Sequence, residues 1–316
     1  MSDQPGGPQW ERAVLEKVAL AAIQEQRRSR QWGMFFKMMV LLYLFALLFI
    51  GMGWYNKGDV SPGSHTALVD ISGVIAPGSA ASADKIMAGM QAAFKDKNTK
   101  GVILRINSPG GSPVQAGYIY DEIKRLRAKH PEIPLYAVVE DICASGGYYI
   151  AAAADKIYVD KASIIGSIGV LMDGFGFTGT MEKLGVERRL LAAGKNKGFL
   201  DPFSPIQAEQ TTHAETMLDD IHQQFITVVR QGRGKRLKET PDMFSGLLWV
   251  GKKSIDLGLA DALGSLEYVA REVVKAEDII DYTQQENIAE RFARRFGAAS
   301  AETLLKFSGV GSFNVR

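Results

Sequence analysis

The sequence predicts an α/β fold preceded by one N-terminal transmembrane helix. Three observations carry this. The apolar runs "GVILRIN" (101–107) and "PLYAVVED" (134–141) have the length and continuity of strands buried on both faces. Amphipathic helical patterns alternate with them, the order expected of an α/β sheet. Finally, "MMVLLYLFALLFIGMGW" (38–54) contains no charged residue and, extended by Phe35 and Phe36, is long enough to cross a bilayer.

Taken in chain order, residues 1–34 form a polar tail in which Val14, Leu15, Val18 and Ala22 share a face, predicting a short helix. The span follows at 35–54. Arg27, Arg28, Arg30 and Lys37 precede it and only Lys57 and Asp59 follow closely. The positive-inside rule then puts the N-terminus in the cytoplasm and the rest outside. A cleaved signal peptide would carry a shorter apolar region nearer the start. Residues 55–64, rich in turn formers, read as a linker. A folded domain is expected over 65–275 and a helical or partly disordered tail over 276–316.

Within the domain, 66–75 reads as a strand broken at Gly73, and 80–97 as a helix. The strand 101–107 leads to a Pro/Gly loop, "SPGGSP" (108–113), and then to a helix over 114–129. Strand 134–141 runs into an alanine-rich helix, and 156–160 is strand again. Residues 186–205 predict a strand followed by a loop. A long helix comes next, with Met217, Leu218, Ile221, Phe225, Val228 and Val229 on one stripe, ending at Gly232. Residues 248–265 predict a short helix, a capping Gly258 and a strand.

The 316 residues are 46% hydrophobic, enough for a sizeable core. A balance of 37 basic and 35 acidic residues, net +2, argues against a nucleic-acid partner. Zinc-like cysteine and histidine spacings, a Walker loop and a dinucleotide glycine fingerprint are all missing, so no metal or cofactor is expected. Cys143 stands alone, which rules out an intrachain disulfide.

The chemistry centres on "ASGGYYIA" (144–151), where a strand gives way to glycines and a helix. Ser145 is a candidate nucleophile, and a serine needs a base. His65, His130, His213 and His222 lie in a linker, at a helix end and on the long helix, and read as solvated. A lysine kept neutral by burial can replace histidine. "AAGKNKGFLDPF" offers two, Lys195 and Lys197, and the pattern alone does not choose between them. Cys143 reads as a small buried residue rather than a rival nucleophile. Asp141 and Asp155 read as turn and cap residues. The pairs Gly110–Gly111 and Gly146–Gly147 can present backbone N–H groups to a developing oxyanion.

"NSPGG" (107–111), "ASGGYYIA", "IGSIGV" (165–170), "KGFLDPF" (197–203) and "WVGKKSIDLGLAD" (249–261) occur in this order. Together they resemble the signal peptide peptidases of serine peptidase family S49, over roughly residues 66–270. The single set of motifs resembles the short form. The resemblance implies a fold similar to Clp protease and crotonase, a spiral of ββα units. It implies Ser145 as nucleophile, Lys197 rather than Lys195 as general base, and Ser167 as the hydroxyl that orients the lysine. It places Gly111, with Gly110, in an oxyanion loop, and the N–H of Gly146 as a second donor. It further implies a homo-oligomeric ring, octameric in the short form, in which serine and lysine meet across a subunit boundary. The expected substrates are cleaved signal peptides and other apolar peptides at the bacterial cytoplasmic membrane. A general quality-control peptidase of that membrane, a crotonase-like acyl-CoA enzyme and a non-catalytic scaffold are the alternatives.

Overall fold

The computed structural model describes residues 8–51 and 63–284. Most of the expected linker, the last residues of the expected span and residues 285–316 lie outside the described residues.

Residues 8–51 are one helix, α1 (Pro8–Gly51). The short tail helix and the separate span expected from the sequence are therefore continuous. No proline or glycine pair interrupts the pattern between them, and Ala, Leu, Glu, Gln and Arg all favour helix. Within α1, Val14–Leu48 is long and apolar enough to cross a membrane, with mean hydropathy 1.6.

Residues 63–284 form an α/β unit with a mixed eight-stranded sheet. The strands are β1 (His65–Ser72), β2 (Thr99–Ser108), β3 (Leu135–Ala144), β4 (Lys156–Val159), β5 (Ile164–Gly166), β6 (Leu248–Val250), β7 (Ala262–Leu263) and β8 (Ile279–Asp281). The main order is β6-β5-β3-β2-β1-β8, and only the β5–β6 pairing is antiparallel. The strand β3 is shared. Its first half pairs with β4, which continues to β7, and its last three residues pair with β5.

Period-two alternation divides the buried side chains between the two faces. Ala67, Val69, Ile71, Val102, Leu104 and Ile106 join the main core. This core also holds residues of α2 (Ala83–Lys95), α3 (Pro113–Lys129), α4 (Gly146–Ala151) and α6 (Ala208–Arg233). Leu68, Ile103 and Val138 point the other way, onto Tyr158, Val269 and Ala270. Helix α5 (Thr178–Lys183) lies in a long exposed segment, and α7 (Gly251–Asp256) follows β6 directly.

The structure differs from the sequence reading in further places. Residues 186–190 form no strand; their side chains are exposed and no ladder receives them. Strand β5, which ends on the first two residues of "IGSIGV", and strand β6, in a stretch expected to begin with a helix, were not anticipated, because three residues carry no periodicity. Residues 276–284, expected in the tail, carry β8, which pairs with β1. Tyr282, just after β8, closes that edge: its hydroxyl donates to Asp96 at 2.7 Å and lies 3.0 Å from Nε2 of buried His65.

Helix α6 is anchored at its end by Arg233, whose side chain is fully buried. Its Nη1 lies 2.9 Å from Asp261, and its Nε donates to the Gly258 carbonyl. Asp261 also accepts from the Ile157 N–H and from Arg236.

Candidate active site

The parallel strands β2, β3 and β5 end side by side. Ser108 is in register with Cys143, and Ala144 with Gly166. The next residues along β3 and β5 are Ser145 and Ser167, so the sheet itself brings the two serines to one place. Both are half-buried and both have positive φ, +51° and +49°, rare for residues with side chains. Ser145 thus sits on a strained strand-to-helix turn, a conformation that persists only where the surroundings enforce it. Its N–H donates to the Gly166 carbonyl and its carbonyl accepts from the Tyr149 N–H. Neither serine hydroxyl has a hydrogen-bond partner among the described residues.

The loop between β2 and α3 lies against this turn. Ser112 caps α3 by accepting from the Gln115 N–H, and Pro113 starts the helix. Before the cap, Gly111 bridges to Ile75, and Gly110 (φ +99°) packs on Ser145. A Cβ at Gly110 would fall 2.7 Å from both Ser145 Cβ and the Gly146 nitrogen; at Gly111 it would overlap the Ile75 carbonyl. The Gly110 N–H is already donated to Ser108 Oγ at 3.1 Å. The Gly111 N–H has no acceptor among the described residues, and its nitrogen lies 3.4 Å from where a Cβ on Gly146 would be. The amides of Gly111 and Gly146 therefore sit close together beside Ser145. Gly110→Ala is expected to slow covalent labelling of Ser145 by a fluorophosphonate at least about tenfold, since the turn must shift to admit the methyl. Equal labelling of the wild type and this variant would show that the close packing is immaterial.

Ser145 and Ser167 open into a cleft of about 520 Å³, walled by Ala116, Tyr149, Leu171, Ile221 and Phe225. Tyr149 and Phe225 pack with ring centroids 5.2 Å apart. The sequence reading placed Ile221 and Phe225 on one apolar stripe of the long helix. Phe225 is buried, yet both also face the cleft, a role that helical periodicity cannot distinguish from packing.

Lys197 is not among the residues lining this cleft. It is exposed, and its ammonium makes no hydrogen bond or ion pair with a described residue. Lys195 is ion-paired with Glu209 at 2.9 Å. No histidine lines the cleft either. His65 is buried near Tyr282, His130 lies 3.5 Å from Glu132, His213 packs edge-on to Phe199, and His222 bonds the Ile168 carbonyl. Cys143 is fully buried, and burial pushes its thiol far above the ordinary range, which makes it a poor nucleophile. Asp155 accepts from the Leu135 N–H and from Arg127, and Asp141 accepts from Asn107.

Comparison with known proteins bears on the family and the fold. The profile of Peptidase family S49 matches residues 127–279, and that of Clp protease matches residues 69–165. A candidate protease of Synechocystis sp. is 30% identical over 201 residues, 64% of this chain and 70% of that one. The chain belongs to peptidase family S49. This S49 chain is also 31% identical over 191 residues to the chloroplastic serine protease SPPA of Arabidopsis thaliana, 60% of this chain and 28% of that one. It is 46% identical over 177 residues to the Na(+)/H(+) antiporter NhaA of Brucella melitensis, 56% of this chain but 24% of the antiporter. A match of 177 residues exceeds both segments flanking the α/β unit together, so it runs through that unit. The S49 chain thus spans between about a quarter and about half the length of several curated relatives that it matches.

Proposed function

We propose that this chain is a membrane-anchored serine endopeptidase in which Ser145 is the nucleophile and Lys197 of a neighbouring copy is the general base. The observation that carries the reading is the Ser145 turn: a strained serine facing an apolar cleft, with the Gly111 and Gly146 amides beside it and no histidine among the residues that line the cleft. In the reaction, the free amine of Lys197, oriented by Ser167, takes the Ser145 proton as Oγ attacks the peptide carbonyl. The two amides donate to the oxyanion. Collapse expels the amine, which takes its proton from the lysine. Water then attacks the acyl-enzyme by the same route and releases Ser145.

The apolar walls suit apolar peptides, above all cleaved signal peptides left at the membrane. The apolar part of α1 would hold the enzyme there, with Arg27, Arg28, Arg30 and Lys37 on the cytoplasmic side of the bacterial membrane and residues 63–284 outside. A ring of copies would bring each Lys197 to a neighbouring Ser145. In support, Lys197 stands on the segment 171–207, which leaves Phe175 79% and Leu191 96% exposed, apolar side chains that a neighbouring copy could cover.

Fluorophosphonate labelling of the full chain in detergent tests the assignment. Ser145→Ala should abolish labelling, Lys197→Ala should reduce it about 10³-fold or more, and Lys195→Ala should leave it near wild type. Labelling by the wild type should rise with pH, because only the unprotonated amine accepts a proton. An unimpaired Lys197→Ala, or a maximum below about pH 6, would overturn the dyad.

A further inference from the structure

We propose that His222 is a positioning residue for Ser167, an inference that rests on Ser167 being the hydroxyl that orients the lysine. His222 lies on α6 beside Ile221, which with Gln224 and Phe225 forms one wall of the cleft. Its Nε2 is 3.1 Å from the carbonyl oxygen of Ile168, the residue after Ser167. A carbonyl only accepts, so Nε2 carries the proton and donates. Ile168 is fully buried, and its carbonyl has no other partner among the described residues.

Ser167 needs such support. Its φ of +49° is unfavourable for a residue with a side chain, so the conformation depends on its tethers. Three hold it. The Ser167 N–H donates to the Leu247 carbonyl at 2.7 Å, and the Gly169 N–H folds back to the Ser167 carbonyl at 2.9 Å. These fix the turn on itself and on the approach to β6. Of the three, only the His222 bond ties the turn to α6, and so fixes the hydroxyl relative to the wall against which a substrate would lie. The donor is present in the imidazolium and in the neutral Nε2–H tautomer, so the tether does not depend on the charge of the ring.

The test is steady-state hydrolysis of an apolar peptide by the full chain in detergent, with thermal unfolding in parallel. His222→Leu keeps bulk and removes the donor. His222→Asn keeps an amide that falls short of Ile168. His222→Gln places an amide N–H close to the position of Nε2. The Leu and Asn variants should lose about tenfold or more in kcat with KM within about twofold, because the cleft walls remain while the hydroxyl is misplaced. Gln should restore most of kcat. If the Leu variant unfolds, the Asn and Gln pair decides the matter. Wild-type kcat in Leu or Asn, or a Gln variant as impaired as Asn, overturns the tether. A wild type inert to both peptide and fluorophosphonate overturns the peptidase reading itself.

Discussion

Co-expressing Ser145→Ala chains with Lys197→Ala chains is expected to restore peptide hydrolysis that neither variant shows alone. Each variant by itself should fall by about 10⁴-fold or more, the usual cost of deleting a member of a nucleophile–base pair. In a mixed ring, a complete site forms wherever the intact serine of one chain meets the intact lysine of the next. Random assortment of equal amounts gives about one quarter of the sites, and so about one quarter of wild-type turnover, in a cyclic head-to-tail assembly. The expectation follows from placement. Ser145 lies just after the end of β3, in the cleft walled by Ala116 and Phe225, whereas Lys197 stands exposed on the segment 171–207 and does not line that cleft. Lys195, two residues earlier, already has Glu209 as its partner. A mixture no more active than its components would place the base within the same chain as the nucleophile, or on another residue.

The second large effect concerns stability. Asp261→Asn is expected to destabilise the α/β unit by about 3–5 kcal/mol, because it leaves the buried Arg233 guanidinium without its counter-charge. The nearby Arg236, exposed at 39%, adds a like charge rather than relieving it. Arg233 Nη2 has no hydrogen-bond partner even in the intact pair, so the arginine has little to fall back on. Removing both charges in Arg233→Met/Asp261→Asn should cost less than the sum of the two single changes. The pair also fixes a pH dependence. Burial pushes the Asp261 carboxyl up, but the hydrogen bond and charge of Arg233, the Ile157 N–H and Arg236 outweigh it and hold the group below its ordinary value. A carboxyl lowered in the folded state stabilises fully above its unfolded value, about pH 4, and this stability drains away as pH falls through the lowered value. Denaturant titrations of the full chain at neutral and acid pH check both points. An Asp261→Asn chain as stable as wild type, or one that keeps the wild-type acid sensitivity, would show that the pair is dispensable.

Much of this architecture was legible in the residues, for identifiable reasons. In the runs at 101–107 and 134–141, the stretches Val102–Ile103–Leu104 and Ala137–Val138–Val139 are buried on both faces and so are apolar at consecutive positions, a pattern few other elements share. The two glycine pairs marked the two loops that meet at the candidate nucleophile, and the structure sets Gly110 on Ser145. Strands β5, β6 and β8 escaped notice because each has three residues, too few for a periodicity to show. Residues 186–190 misled for the opposite reason. Val186, Leu190 and Leu191 suggest burial, but they stand exposed in a segment whose apolar side chains have no cover among the described residues. His222 read as a solvated helix residue, since its partner is a backbone carbonyl and leaves no trace in side-chain patterning.

The pairing of β1 with β8 has a consequence for synthesis. Strand β1 lies inside the sheet, with β2 on one side and β8 on the other, yet His65 and Tyr282 are 217 residues apart. As the chain leaves the ribosome, β2 arrives early, but the other edge of β1 stays open until the 279–284 segment emerges, on the order of 10–40 s later at ordinary rates of translation. For that time the nascent protein presents an unpaired strand edge, the feature most prone to pairing with the wrong chain. Contacts of such long sequence separation also form slowly once they are available. Completion of this sheet is therefore gated by β8, and a chain cut short before Tyr282 would keep that edge of β1 open.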